Sequence, residues 1–90
     1  MDMRKLMQQA QQMQQQVAAA QESLAKEIVE ASAGGGMVVV QATGAGEVRS
    51  IKIDPEAVDT DDIELLEDMV LAAVSEAQRQ ASELANSRMN

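Results

Sequence analysis

The 90-residue sequence predicts an α+β fold in the order α-β-β-β-α, with a three-stranded antiparallel sheet between two long helices. Near both ends of the chain, apolar residues recur every three or four positions, which is the spacing of one helix face. Runs rich in β-branched residues fill the middle, and short glycine-containing turns separate them at hairpin distances. Residues 1–90 are long enough for one small domain.

The first element, residues 1–26, is predicted to be a helical arm. Its apolar positions alternate in steps of three and four: Met3, Leu6, Ala10, Met13, Val17, Ala20 and Leu24. An average period of about 3.5 is typical of a narrow seam that packs against another helix. Most other positions are glutamine, so a helix on the order of 35 Å long has one apolar edge.

Residues 27–53 are predicted to form the antiparallel sheet. Strands are expected in three runs, of which the middle one, MVVVQAT, is richest in β-branched residues: 27–33, 37–43 and 47–53. The first run also fits a fraying end of the preceding helix. Gly34–Gly36 and Gly44–Gly46 supply the turns, the second with a glycine in a left-handed conformation. In the third run, Val48 alternates out of phase with the two isoleucines that follow, which predicts a β-bulge near Arg49.

The second helix is predicted over residues 59–88. Asp59, Thr60 or Asp61 is expected to cap it, and acidic side chains crowd its first turns, where they face the positive end of the helix dipole. Its apolar stripe includes Leu66 and Val70 and thins to alanine in the later turns. The helix is therefore expected to pack on the sheet at its start and to be free at its end.

The size of the core predicts a homodimer. The chain has no aromatic residue, and a chain this short buries only roughly 60–65% of its unfolded surface. A second copy is therefore expected to cover the long helices. The sequence leaves open whether the helices pair within or between protomers. The residues expected in the dimer or helix seam are Leu6, Met13, Val17, Leu24, Leu66 and Val70.

The composition argues against an enzyme. There is no histidine to activate a serine and no cysteine, so neither the usual general base nor a disulfide is available. Both glycine runs precede strands, whereas a phosphate loop precedes a helix. The carboxylates at 59–64 lack the glycine of a calcium loop and are explained by helix capping. No cofactor, metal or small-molecule substrate is expected.

No segment is apolar enough to span a bilayer, and the N-terminus lacks the apolar core of a signal peptide. The sequence thus predicts a soluble, cytoplasmic protein with no membrane partner. Its formal net charge of −8 is concentrated in residues 54–68, which contain eight acidic and no basic side chains, while both helical arms are nearly neutral.

Four basic residues lie near the start of the first helix and in the late turns of the second: Arg4, Lys5, Arg79 and Arg88. A few charges at helix ends are commonly just a solvated surface. The functional alternative is a phosphate-contacting patch, doubled by dimerisation, in which nearby glutamines also donate hydrogen bonds to phosphate oxygens.

Several motifs give the chain a resemblance to the YbaB/EbfC nucleoid-associated proteins. They are LMQQAQQMQQQ at 6–16, the glycine-rich turn before MVVVQATG, EVRSIKIDPEAV at 47–58 and LLEDMVLAAVSEAQRQA at 65–81. The resemblance implies a cytoplasmic, nucleoid-associated protein without catalytic residues, which binds duplex DNA with little sequence preference. It also implies a tweezer-like homodimer, with sheets in the body and helices as arms.

A second hypothesis comes from the net charge, which opposes approach to DNA at long range. In this alternative, the protein is an acidic helical interaction module that recruits a protein partner and does not bind DNA.

Overall fold

A computed structural model describes residues 2–89 and confirms the predicted α-β-β-β-α order. The strands form one antiparallel sheet in the order β1-β2-β3. A short 3-10 helix, Pro55–Ala57, follows the sheet. The helices and strands are α1 (Met3–Lys26), β1 (Ile28–Ala33), β2 (Val38–Thr43), β3 (Val48–Ile53) and α2 (Ile63–Met89).

The core lies between α2 and one face of the sheet, and it is built from small side chains. The sheet contributes Ala31, Val38, Val40 and Ala42, and α2 contributes alanines at 73 and 77. Alanine on the facing side of a helix lets its backbone approach the sheet closely, but each such residue buries little apolar area. The core of the single chain is therefore thin.

The helix α2 covers β1 and β2 but leaves β3 open. In the register of the sheet, Val38 pairs with Ile53 and Val40 pairs with Ile51, so all four side chains lie on the helix-facing side. Val38 and Val40 are fully buried, whereas Ile51 is 45% exposed and Ile53 is 40% exposed. The apolar side of β3 is therefore only partly covered within the chain at these two positions.

The bulge expected near Arg49 is present in β3. Ala42 pairs with Val48, but the preceding residue of β2, Gln41, pairs with Ser50, which leaves Arg49 as the extra residue. The bulge restores Val48 to the helix-facing side, where it packs against the core. In the turn before β3, Gly46 has the expected left-handed backbone, with φ of 89°.

The predicted start of the second helix at residue 59 was wrong, because α2 begins at Ile63. Residues 59–62 form a turn instead, in which the backbone N–H of Asp62 donates to the carbonyl oxygen of Asp59 at 2.9 Å. The carboxylate of Asp62 then accepts from the backbone N–H of Leu65 at 3.3 Å, as a helix N-cap does. Asp62, and not one of residues 59–61, therefore caps α2.

The arm α1 is attached to the body only at its C-terminal end. Leu24 is its one buried residue, and a single residue, Glu27, separates α1 from β1. The carbonyl oxygen of Glu27 accepts from the backbone N–H of Gly44 at 2.9 Å, which ties the junction to the turn after β2. The last turns of α2 lie beside α1, and the start of α1 extends beyond them, so the chain measures 69 × 18 × 17 Å.

Gly44 allows the arm to approach the sheet, and Gly44→Ala is expected to destabilise the fold by about 1–3 kcal/mol. A Cβ atom at this position would lie 2.9 Å from the backbone oxygen of Leu24 and 3.2 Å from Cδ2 of Leu84. Chemical denaturation monitored by circular dichroism measures the loss. The neighbouring Ala45 is exposed, so Ala45→Ser is the control, with a change within about 0.5 kcal/mol. Equal midpoints for the two variants would contradict the close contact.

Candidate nucleic-acid interface

Two basic side chains lie in the first turn of α1, at the tip of the arm. Asp2 begins the helix by accepting a hydrogen bond from the backbone N–H of Arg4 at 3.0 Å. Arg4 and Lys5 follow in the first turn, both exposed, and neither forms an ion pair within residues 2–89. Basic residues in a first turn oppose the helix dipole at a cost of about 0.3–1 kcal/mol each, but together with that dipole they attract anions.

The apolar stripe of α1 is largely uncovered in the single chain. Leu6 and Val17 are a little over 40% exposed and Met13 is 66% exposed, whereas Leu24 is buried at the junction with the body. Leu66 and Val70 of α2, predicted in the same seam, instead lie half-buried at the edge of the sheet core. The structure therefore divides the predicted seam between the core and an open helix edge.

Arg79 of α2 is held between two carboxylates of its own helix. Its Nε atom donates to Glu76 at 2.9 Å and Nη2 donates to the same carboxylate at 2.5 Å, while Nη1 donates to Glu83 at 2.5 Å. The hydrogen bonds from Arg79 lower the pKa of Glu76, and the bond to Glu76 contributes most to raising the pKa of the guanidinium. Arg79 is exposed, but its charge is locally neutralised.

Arg88 in the last turn of α2 forms an ion pair with Glu27, at the junction of α1 and β1. The two residues are 61 positions apart in sequence, so the pair connects the end of α2 to the base of the arm. Arg88 also lines a shallow cleft with Met13 and Val17 of α1. The second oxygen of Glu27 is buried without a hydrogen-bond partner within residues 2–89.

The four predicted phosphate contacts do not form one cluster. Arg88 lines a cleft with Met13, in the middle of α1. Arg4 is nine residues before Met13, which corresponds to about 13 Å along the helix axis. Arg79 is a similar distance from Arg88 in the opposite direction along α2. The basic residues are thus spaced along the long axis of the molecule, and only the pair at the tip of α1 is unneutralised.

The acidic segment lies at the opposite end of the molecule from the tip of α1. Residues 54–68 connect β3 to the start of α2, while the end of α2 lies next to α1. Asp54 and Asp59 accept hydrogen bonds from the backbone two residues later, and Asp62 caps α2. These three carboxylates therefore have a local structural role.

The clefts of the described chain show no catalytic arrangement. A cleft of about 430 Å³ lies at the base of the arm, between Leu24, the Gly44–Gly46 turn and α2, and none of its lining side chains is ionisable. No three carboxylates within residues 2–89 are placed to hold a metal ion together. None of the helices described is both long and apolar enough to cross a bilayer.

The whole chain, residues 1–90, matches the family described as the YbaB/EbfC DNA-binding family. The chain belongs to this family. The family is a DNA-binding family and not an enzyme family. The resemblance inferred from the sequence motifs is therefore confirmed.

Relatives support this membership, and a solved structure shares the fold. Nucleoid-associated proteins of Chloroflexus aurantiacus and Ruminiclostridium cellulolyticum are 53% and 49% identical over 89 residues, which is 99% of this chain and 89% and 77% of theirs. One from Thermodesulfovibrio yellowstonii is 68% identical over 53 residues, covering 59% of this chain but only 46% of that protein. The fold matches the crystal structure of an uncharacterized Helicobacter pylori protein with a TM-score of 0.86 at 24% identity, over 97% and 91% of the two chains.

Two features of this YbaB/EbfC chain were missed from the sequence. The first is the open face of β3, because Ile51 and Ile53 alternate like ordinary core residues. The second is the neutralisation of the charge of Arg79. Glu76 lies three residues before Arg79 and Glu83 four residues after it, and this helical ion-pair spacing would have predicted both pairs. The pairing of Arg88 with Glu27 had no such local signal.

Proposed function

We propose that this protein is a homodimeric, non-enzymatic DNA-binding protein of the nucleoid, which contacts the phosphates of duplex DNA from its helical arms with little sequence specificity. The observation that carries the proposal is the tip of α1, where Arg4 and Lys5 reinforce the positive helix end. Between Met3 and Gln21 these are the only charged residues, so the carboxylates of the arm are confined to Asp2, which caps the helix, and Glu22 near its base. Membership of a DNA-binding family supports the same conclusion.

Dimerisation is supported by the apolar surface that the single chain leaves open. Ile51 and Ile53 on β3 are followed in sequence by exposed Val58 and Ile63, in a protein whose own core is mostly alanine and valine. Exposed apolar patches of this kind mark interaction surfaces. A second copy related by a twofold axis brings the same patch and completes the cover of the sheet. The dimer then carries two arms.

The charge distribution favours binding through the arms. The acidic segment 54–68 and the tip of α1 are separated by much of the 69 Å length of the chain. Repulsion between exposed charges is screened over about 10 Å at 0.1 M ionic strength, so the acidic end has little effect at the tip. Arg88 and Arg79, which were also predicted to contact DNA, are each paired with a glutamate that offsets their positive charge. Arg4 and Lys5 are therefore the primary contacts.

Fluorescence anisotropy on two unrelated duplexes, measured at increasing salt, tests the proposal. Four arm cations per dimer give an expected slope of about −3.6 for log Kobs against log salt, which weakens binding about 100-fold between roughly 50 and 200 mM salt. The two duplexes are expected to agree within about threefold, because phosphate contacts carry no sequence information. A folded dimer that binds neither duplex at low salt would refute the function.

The alternative, an acidic module that recruits a protein partner, is tested by affinity capture from a cell extract. Affinity capture from nuclease-treated lysate is expected to retain no stoichiometric protein partner if the protein acts on DNA. A protein partner that survives nuclease treatment, combined with no affinity for purified duplex, would replace the proposed function with the alternative.

A further inference from the structure

Every nitrogen of the Arg79 guanidinium donates a hydrogen bond to a carboxylate of its own helix. Nε and Nη2 form a bidentate pair with Glu76, and Nη1 is used by Glu83. These bonds use three of the five N–H groups of the guanidinium, and a phosphate that approached the remaining two, one on each Nη atom, would meet the charges of both carboxylates beside them. The cluster carries one positive and two negative charges, so it repels a polyanion although it contains an arginine.

Stability does not account for this arrangement. All three side chains are largely exposed, with at least 40% of the side-chain surface of each in contact with solvent. Exposed ion pairs contribute little to folding because water already solvates the charges well. The same carboxylates nevertheless determine the sign of the local potential on the surface of α2.

We propose that Glu76 and Glu83 limit the affinity of the protein for DNA by occupying Arg79. The inference rests on the proposed DNA-binding function and deepens it: the arms supply a basal affinity, and the two carboxylates withhold a further contact on each protomer. The ligand expected at the Arg79 guanidinium is a backbone phosphate of the same duplex that the arms bind.

The double variant Glu76→Gln with Glu83→Gln tests the inference directly. Glutamine keeps the helix-forming tendency and size of glutamate but cannot compete for the guanidinium as an anion. At about 0.1 M salt we expect the variant to bind duplex DNA about fivefold more tightly than the wild type. The salt slope should steepen by about 1.8, since two arginines per dimer become available to phosphate.

The matched control is Glu64→Gln with Glu67→Gln, which removes the same two charges from the first turns of α2. Glu64 is twelve residues, or about 18 Å along the helix, from Glu76, which exceeds the screening length at this salt. We expect less than a twofold gain in affinity and an unchanged salt slope. Circular dichroism and sedimentation are the checks that both double variants keep the fold and oligomeric state of the wild type.

Arg79→Ala, made in the wild type and in the Glu76→Gln, Glu83→Gln variant, tests whether the gain in affinity depends on Arg79. In the wild type, where Arg79 is already occupied, the change is expected to alter affinity by less than about twofold. In the Glu76→Gln, Glu83→Gln background it should abolish the fivefold gain and restore the wild-type salt slope, which a general change in net charge would not do.

The outcomes separate the inference from the function on which it rests. If the wild type binds DNA and the two double variants gain equally, or if the gain survives Arg79→Ala, the inference is overturned and the proposed function stands. If neither the wild type nor any variant binds at low salt, the proposed function fails and the inference fails with it. Binding by the Glu76→Gln, Glu83→Gln variant alone supports the inference.

Discussion

Ile51→Asp and Ile53→Asp are each expected to convert the proposed dimer into folded single chains and to abolish DNA binding at physiological salt. Both side chains are about half exposed in the single chain, so the protomer has room for the carboxylate. In a twofold interface, each substitution places two carboxylates in an apolar contact, at a cost of several kcal/mol per charge. Analytical ultracentrifugation is expected to show at least about a thousandfold weaker dimer.

Ile28→Asp is the matched control for this prediction. Ile28 is the first residue of β1, is 54% exposed, and pairs with Thr43, which places it on the sheet face opposite α2. It receives the same substitution at a similar exposure but lies outside the proposed interface, so the dimer should persist. If Ile28→Asp dissociates the dimer and Ile51→Asp does not, the partner covers the other face of the sheet.

The Arg4→Glu, Lys5→Glu double variant is expected to lose about 100-fold in affinity for duplex DNA at low salt. The change removes four phosphate contacts per dimer and replaces them with four repulsive charges. Acidic residues in a first helical turn favour the helix dipole, so helicity should be unchanged or slightly higher. Loss of binding therefore cannot be attributed to unfolding of the arm, and circular dichroism verifies this in the same samples.

Arg49→Glu with Lys52→Glu is the control for charge reversal. These two basic residues are exposed on β3, and the substitution changes the net charge by the same amount as at the arm tip. Affinity is expected to fall by less than about fivefold, through long-range repulsion alone. Equal losses for the two double variants would show that net charge, and not contact at the tip of α1, governs binding.

The sequence predicted the elements well because their limits are set locally. The heptad spacing ends at Leu24, and α1 ends two residues later at Lys26. The phase change in the third strand predicted the bulge at Arg49. The start of α2 was missed because several aspartates in succession are competent caps, and the choice of Asp62 depends on the turn made by Asp59.

The candidate site was only partly predictable, because its remaining features depend on tertiary placement. Nothing in the sequence indicates that α2 is centred over β1 and β2, and this position alone leaves Ile51 and Ile53 open. The ion pair between Arg88 and Glu27 joins residues 61 positions apart. The resemblance indicated DNA as the ligand, while the structure shows that Arg79 and Arg88 are paired with carboxylates.

The single-residue junction at Glu27 fixes the direction of the arm α1 relative to the sheet. With no loop between helix and strand, α1 cannot swing without disturbing the first ladder pair of β1 or the contacts of Leu24 and Gly44. In the proposed dimer, the gap between the two arms is therefore expected to be set during folding, not by the ligand that enters it. We expect arms held at a fixed spacing to favour a ligand of one width, so that the proposed dimer would distinguish duplex from single-stranded DNA without contacting a base.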